Sequence, residues 1–200
     1  MKDCSADMEL AQRAARGEQE SWRAIYDSTS DRLFSLLCGI VRDRDEALDL
    51  LQETYVQALR RIDSFRGEAP LEAWLRAIAV RKALDWRRSV LRRLRRTVPL
   101  TEGTATVDPV GPARAEAACD RLTLMEALSR ISPSQRAALL LRECEGMSFK
   151  EVASVLGCKE STARVHHAKA RERMREVLGT EIGDVGTGSS TADCLEGQST

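Results

Sequence analysis

Two stretches of the chain carry residues that could do chemistry on a polyanion. In the first, Arg81, Lys82, Arg87 and Arg88 fall beside Trp74 and Trp86. Cations next to indole rings suit single-stranded nucleic acid, where phosphates pair with the charges and bases stack on the rings. A plain helix anchored in its core by tryptophans has the same composition, and for Trp74 that reading is at least as strong. In the second stretch, Ala163, His167, Ala170 and Met174 recur at helical spacing and face a core. The opposite face then presents Arg164, His166, Lys169, Arg171 and Arg173, preceded by Lys159, Ser161 and Thr162. The early members of such a face can enter a major groove and the later ones reach phosphates. Arg164 is placed for the bidentate contact to guanine that dominates direct readout. A helical hairpin with a solvated basic face would show the same spacing.

Other chemistries are poorly served. The only two histidines, His166 and His167, are adjacent, and neighbours on a helix point about 100° apart. That defeats a zinc set with Cys144 and Cys158. No Gly-rich phosphate loop is present, and no carboxylate cluster accompanies a metal-ligand pattern. The chain therefore reads as a non-enzyme, with no catalytic residue, metal or cofactor. The six cysteines are scattered without a CxxC pair, and no signal segment opens the chain, which favours reduced thiols. The longest apolar run, Leu33 to Val41, is far short of the ~20 residues of a spanning helix. A soluble, cytoplasmic protein is expected.

The formal net charge is zero, but the charges are segregated. Arg76 to Arg96 holds nine Lys/Arg against Asp85 alone, whereas Asp43 to Glu53 holds five acids and one base. A neutral chain arranged this way can still bind phosphate at separate places. Seven of the eight aromatic residues precede residue 90, which predicts different cores for the two halves.

The elements that must position these residues are helices. Trp22, Ile25 and Tyr26, then Leu33, Leu37, Ile40 and Val41, recur at three- and four-residue steps. Leu48, Leu51, Tyr55, Ala58/Leu59 and Ile62 predict a second helix, with an acidic N-cap at Asp43–Asp45. Ser64 to Pro70 reads as a loop and Leu71 to about Arg88 as a helix. Thr97 to Pro112, with three prolines and two glycines, reads as a linker. Helical pattern resumes from Ala113 to Ile131. Ser132-Pro133 caps a helix to about Cys144, Ser148 caps one to Leu156, Gly157 turns the chain, and a last helix runs from about Glu160 to Leu178. The Gly/Ser/Thr-rich stretch after it carries acids only and reads as disordered.

The order of these pieces resembles a known family. The string Ala47-Leu48-Asp49-Leu50-Leu51-Gln52-Glu53-Thr54-Tyr55 resembles the polymerase-binding helix of the extracytoplasmic-function (ECF) sigma factors, within the sigma-70 family. Phe65-Arg66-Gly67, then Ala73 to Ala79 and Leu84 to Arg88, are similar to the promoter-melting segment that follows it. Ser148 to Leu156, Gly157-Cys158, Ser161 to Arg164 and Ala170 to Arg173 resemble the family's C-terminal helix-turn-helix. The likeness runs from about residue 10 to residue 177, apart from the linker.

The resemblance implies an all-α chain of two small helical domains joined by a flexible linker. A region 2-like domain would span 8–92, the linker 93–117, a region 4-like helix-turn-helix domain 118–178, and a disordered tail 179–200. It further implies a transcription initiation factor that brings RNA polymerase core to promoters. Asp49, Leu50, Gln52, Glu53 and Tyr55 would meet the β′ clamp helices, and the C-terminal domain the β flap. Ser64, Phe65, Arg66, Gly67, Trp74, Arg81, Lys82, Asp85, Trp86, Arg87 and Arg88 would read and open the −10 element. Lys159, Ser161, Thr162, Arg164, His166, Lys169 and Arg171 would read the −35 duplex. An anti-sigma factor would cover the polymerase-binding surface. The family usually has Asn at Arg81, Val at Ala163, Arg at His166 and Leu at His167, which leaves the promoter sequence open and predicts a more weakly packed last helix.

Two other functions fit parts of the pattern. An autonomous helix-turn-helix regulator would bind duplex DNA without polymerase, and would need an effector or dimer domain that Leu50 to Arg88 does not suggest. A helical adaptor binding an acidic protein would show no DNA sequence preference.

Overall fold

The computed structural model describes residues 4–97 and 127–178. They form α1 (Cys4–Ala15), α2 (Gln19–Val41), α3 (Arg44–Arg61), a 3-10 turn (Ile62–Ser64), α4 (Leu71–Thr97), α5 (Pro133–Glu143), α6 (Phe149–Leu156) and α7 (Glu160–Leu178). No strand occurs among the described residues, so the all-α expectation holds. The expected linker core and the tail lie outside them.

The caps explain where helices begin. Asp43 Oδ1 accepts from the amides of Asp45 and Glu46, both at 3.0 Å, at the head of α3. Ser132 and Gln135 close a capping box on α5, as Ser148 and Glu151 do on α6. The N-terminus of α4 is capped from afar: the Leu71 amide donates to Asp7 Oδ2 at 2.8 Å. Trp22 Nε1 donates to Ala14 O at 3.0 Å and ties α1 to α2. Helix α4 runs to Thr97, beyond the Arg88 expected from sequence, because no breaker interrupts the arginine-rich stretch before Pro99.

In α3 the buried stripe is Ala47, Leu50, Leu51, Thr54 and Ala58, while Leu48 and Leu59 face outward. Thr54 is tolerable in the core because its hydroxyl donates to Leu50 O at 2.7 Å.

The expectation of two separate cores is not met. One apolar cluster runs from Ile25, Leu37 and Leu75 of α2 and α4 into Ala137, Leu141 and Val152 of α5 and α6. A smaller one gathers Ala127, Leu128, Ile131 and Leu139 against Ala170 and Met174. The first half (α1–α4) and the second (α5–α7) therefore pack together, with α5 against α2 and α4, and α6 against α4. Gly39 permits the close approach: a Cβ there would lie 2.7 Å from Leu140 Cδ1. A charged cluster also joins the halves: Glu72, Arg76 and Glu145 have nearly buried side chains, and Arg32 reaches them from the surface. Arg76 Nη2 lies 2.8 Å from Glu145 Oε2 and 3.1 Å from Glu72 Oε1, and Arg32 reaches both glutamates at 3.1 Å. Two cations alternate with two anions, so the cluster is balanced in charge.

Candidate nucleic-acid interface

Three surfaces carry the residues singled out from sequence. On α3, Asp49, Gln52 and Glu53 are exposed and line a shallow depression with Val56, Gln57, Arg60 and Lys82. Lys82 Nζ sits 2.8 Å from Glu53 Oε2, which ties it to this acidic face. Leu50 is buried in the core, so it holds the helix in place and offers a partner no surface. Tyr55 is half-buried; its hydroxyl lies 2.7 Å from Thr29 Oγ1 and its ring 4.9 Å from that of Tyr26. Burial pushes the Tyr55 phenol above its ordinary value. Sequence reasoning missed the apolar part of this surface: Tyr26, Leu48, Val56 and Leu59 are all exposed. The available signal was their position off the buried stripe of α2 and α3.

The second surface is the loop before α4. Phe65 is buried edge-on against Trp74, with ring centroids 5.8 Å apart. Gly67 takes φ +70°, a left-handed conformation that suits glycine. Ser64 Oγ donates to Arg61 O at 2.7 Å. These residues and Arg66 form one wall of a cavity of about 310 Å³. The other wall is Met147, Glu151, Ser154 and Val155 of the second half. Farther along α4, Arg81 donates to Ser154 O at 3.0 Å and to Val155 O at 3.3 Å. Arg87 lies over the Trp86 ring, and Asp85 pairs with Arg88 in the open at 3.0 Å. The loop and Arg81 thus face α6 in this arrangement.

The third surface is the α6–turn–α7 unit. Gly157 makes the turn at φ +66°. Ala163, His167, Ala170 and Met174 are buried, as the spacing requires. His167 is not a loose fit: Nε2 lies 2.6 Å from Glu143 Oε1, and its ring meets Phe149 edge-on. Lys159, Ser161, Arg164 and Lys169 are exposed, whereas Thr162, His166 and Arg171 are half-buried. Arg164 donates to Glu160 Oε1 at 2.6 Å and lies 4.5 Å over Phe149, with Arg142 near the same ring. That stacking holds the guanidinium at the start of α7, and Arg142 and Phe149 were not among the expected site residues. Among the described residues no group of His, Cys, Asp or Glu is arranged to hold a metal.

Comparison with known proteins matches both halves. Residues 25–95 match the family model for sigma-70 region 2, and residues 121–174 the one for sigma-70 region 4. The ECF sigma factor SigL of Mycobacterium tuberculosis is 32% identical over 158 residues, covering 78% of this chain and 88% of its own. The chain belongs to the ECF branch of the sigma-70 family. The RNA polymerase sigma-H factor of Pseudomonas aeruginosa is 28% identical, over 86% of this chain and 93% of its own. Among solved structures, the sigma factor RpoE of Bartonella quintana, bound to the anti-sigma factor NepR, shares the fold. Its TM-score is 0.67 at 23% identity, covering 81% of this chain and 99% of that one. No described helix of this sigma factor is long and apolar enough to cross a membrane.

Proposed function

We propose that this sigma factor directs RNA polymerase core to promoters by dividing recognition between its two halves. The observation that carries the reading is the pairing, in one chain, of a groove-sized basic helix presented by a capped helix-turn-helix with an aromatic-lined loop pocket beside a second basic helix. In this reading α7 lies in the major groove of the −35 element, led by Arg164. The Ser64–Trp74 pocket takes a base extruded from the −10 element. Extrusion costs a few kcal/mol of unstacking, which a fitted pocket offsets. Arg81, Arg87 and Arg88 then track the separated strand.

The outer face of α3 meets the polymerase. Its exposed Leu48, Val56 and Leu59 supply apolar area, and Asp49, Gln52 and Glu53 supply polar specificity. An anti-sigma factor competes for the same face, since its mixed apolar and acidic character is what a helical inhibitor would bury. The chain itself makes and breaks no bond. An autonomous regulator is disfavoured by relatives that are sigma factors and match across both halves. Binding of labelled chain to bacterial core polymerase tests the reading. Val56→Asp should weaken it by tenfold or more with helicity intact, and equal binding by the variant would contradict the assignment of this face.

A further inference from the structure

The junction between the halves holds a second cluster of charge, and unlike the balanced Arg32–Glu72–Arg76–Glu145 group it has one sign. Arg42 follows α2, Arg87 lies on α4 and Arg136 on α5. Helices α2 and α5 meet where Gly39 abuts Leu140, and Arg42 and Arg136 lie three and four residues from that contact in sequence. Among the described residues none of the three is paired with an acid, and the Nε of all three is buried without an acceptor. Arg136 is only 2% exposed. Its Nη1 donates to Leu128 O at 3.0 Å, which satisfies one of its five N–H groups. Burial first, then Arg87 and Arg42 nearby, push the Arg136 guanidinium below its ordinary value. Burial and Arg87 do the same to Arg42.

An arginine in a protein does not relieve such a position by losing its proton. Buried charge is tolerated where it is paired, and unsatisfied buried donors call for an ion. Planar guanidinium forks such as these three offer donors that match the oxygens of a tetrahedral oxyanion. We propose that Arg42, Arg87 and Arg136 form a binding site for a small phosphate-bearing anion held between the two halves. The depth of Arg136 argues for a free phosphate, inorganic or carried by a nucleotide, over the backbone of a duplex. Because the anion would touch α2, α4 and α5 at once, its binding would fasten the helix-turn-helix half onto the first.

Titration of the full-length chain with inorganic pyrophosphate at constant ionic strength tests this, read by calorimetry and by thermal unfolding. One equivalent should bind saturably and raise the unfolding temperature with concentration. Arg42→Gln and Arg87→Gln, at half-buried positions, should each weaken binding about tenfold or more, the loss of one charged hydrogen-bonding partner. Arg23→Gln, an exposed cation elsewhere, should leave it unchanged. Absence of saturable binding, or equal losses in all three variants, would overturn the proposal. Arg42→Gln, which lies outside the −10 surface, should leave binding of a single-stranded oligonucleotide unchanged. A loss there equal to the loss of pyrophosphate binding would assign the phosphate to a DNA strand and overturn the free-anion site.

Discussion

Glu145→Gln is the perturbation that most sharply tests how the two halves are held. Glu145 is the only member of the four-residue ion cluster contributed by the second half, and its side chain is 5% exposed. It meets Arg76 at 2.8 Å and Arg32 at 3.1 Å. The substitution keeps the shape but leaves Arg76 and Arg32 facing Glu72 alone. Removing one partner of a fully buried pair costs about 3–5 kcal/mol. Arg32 is half in solvent, so its share is screened and the cost falls to about 2 kcal/mol. Neither half needs Glu145 for its own core, so the loss should fall on their association. The ratio of separated to packed chains should rise about thirtyfold.

Fluorescence energy transfer between labels on exposed positions, one on each half, reads this directly. Transfer should fall in Glu145→Gln while helical ellipticity stays constant. The Arg76→Gln/Glu145→Gln double variant should be less perturbed than the sum of the single variants. Binding of a single-stranded −10 oligonucleotide should tighten in parallel, since Arg81 and the Phe65 pocket no longer face α6. Unchanged transfer, or additive single effects, would refute the reasoning.

Other outcomes follow from local geometry. Gly157→Ala places a side chain at φ +66° with open space around its Cβ, so only backbone strain acts; a loss of about 1 kcal/mol in denaturant unfolding is expected. Ser148→Ala removes the capping box of α6 and should cost about 1 kcal/mol. The Ser148 hydroxyl and amide hold the Glu151 carboxyl below its usual value. A depressed carboxylate stabilises the fold above its unfolded pKa, and that stability is lost as pH falls through the folded value. The gap between wild type and Ser148→Ala should therefore narrow on acidification below about pH 4.5; a constant gap would contradict the link. Arg164→Ala should cost about 1–3 kcal/mol on −35 duplex and relax base preference at one position. Lys169→Ala should weaken all sequences alike and lower the salt slope by about one, both read by anisotropy.

Much of the fold was legible because its signals are local. Asp43, Ser132-Pro133, Ser148 and Gly157 mark helix ends through chemistry confined to four residues, and each acts as expected. The core face of α7 was readable from spacing alone. The apolar stripe of α3 was read one notch off, because Leu48 and Leu59 look like core while Thr54 hides its hydroxyl against Leu50 O. His167 looked like a packing fault on α7, yet Glu143 and Phe149, on two other elements, receive it. The association of the halves left no local trace, since Glu145 and Arg76 are far apart in sequence and each is an ordinary surface type. Arg81 illustrates the point: where the family usually has Asn, the longer side chain reaches the carbonyls at the end of α6.

The central claim, promoter-directed initiation, is tested most directly by run-off transcription with bacterial core polymerase on a promoter library, with and without this chain. Transcripts should depend on the chain and select templates with two separated sequence elements, and Arg164→Ala should alter selection only at the upstream one. Chain-independent transcripts, or selection confined to a single duplex element, would contradict the account.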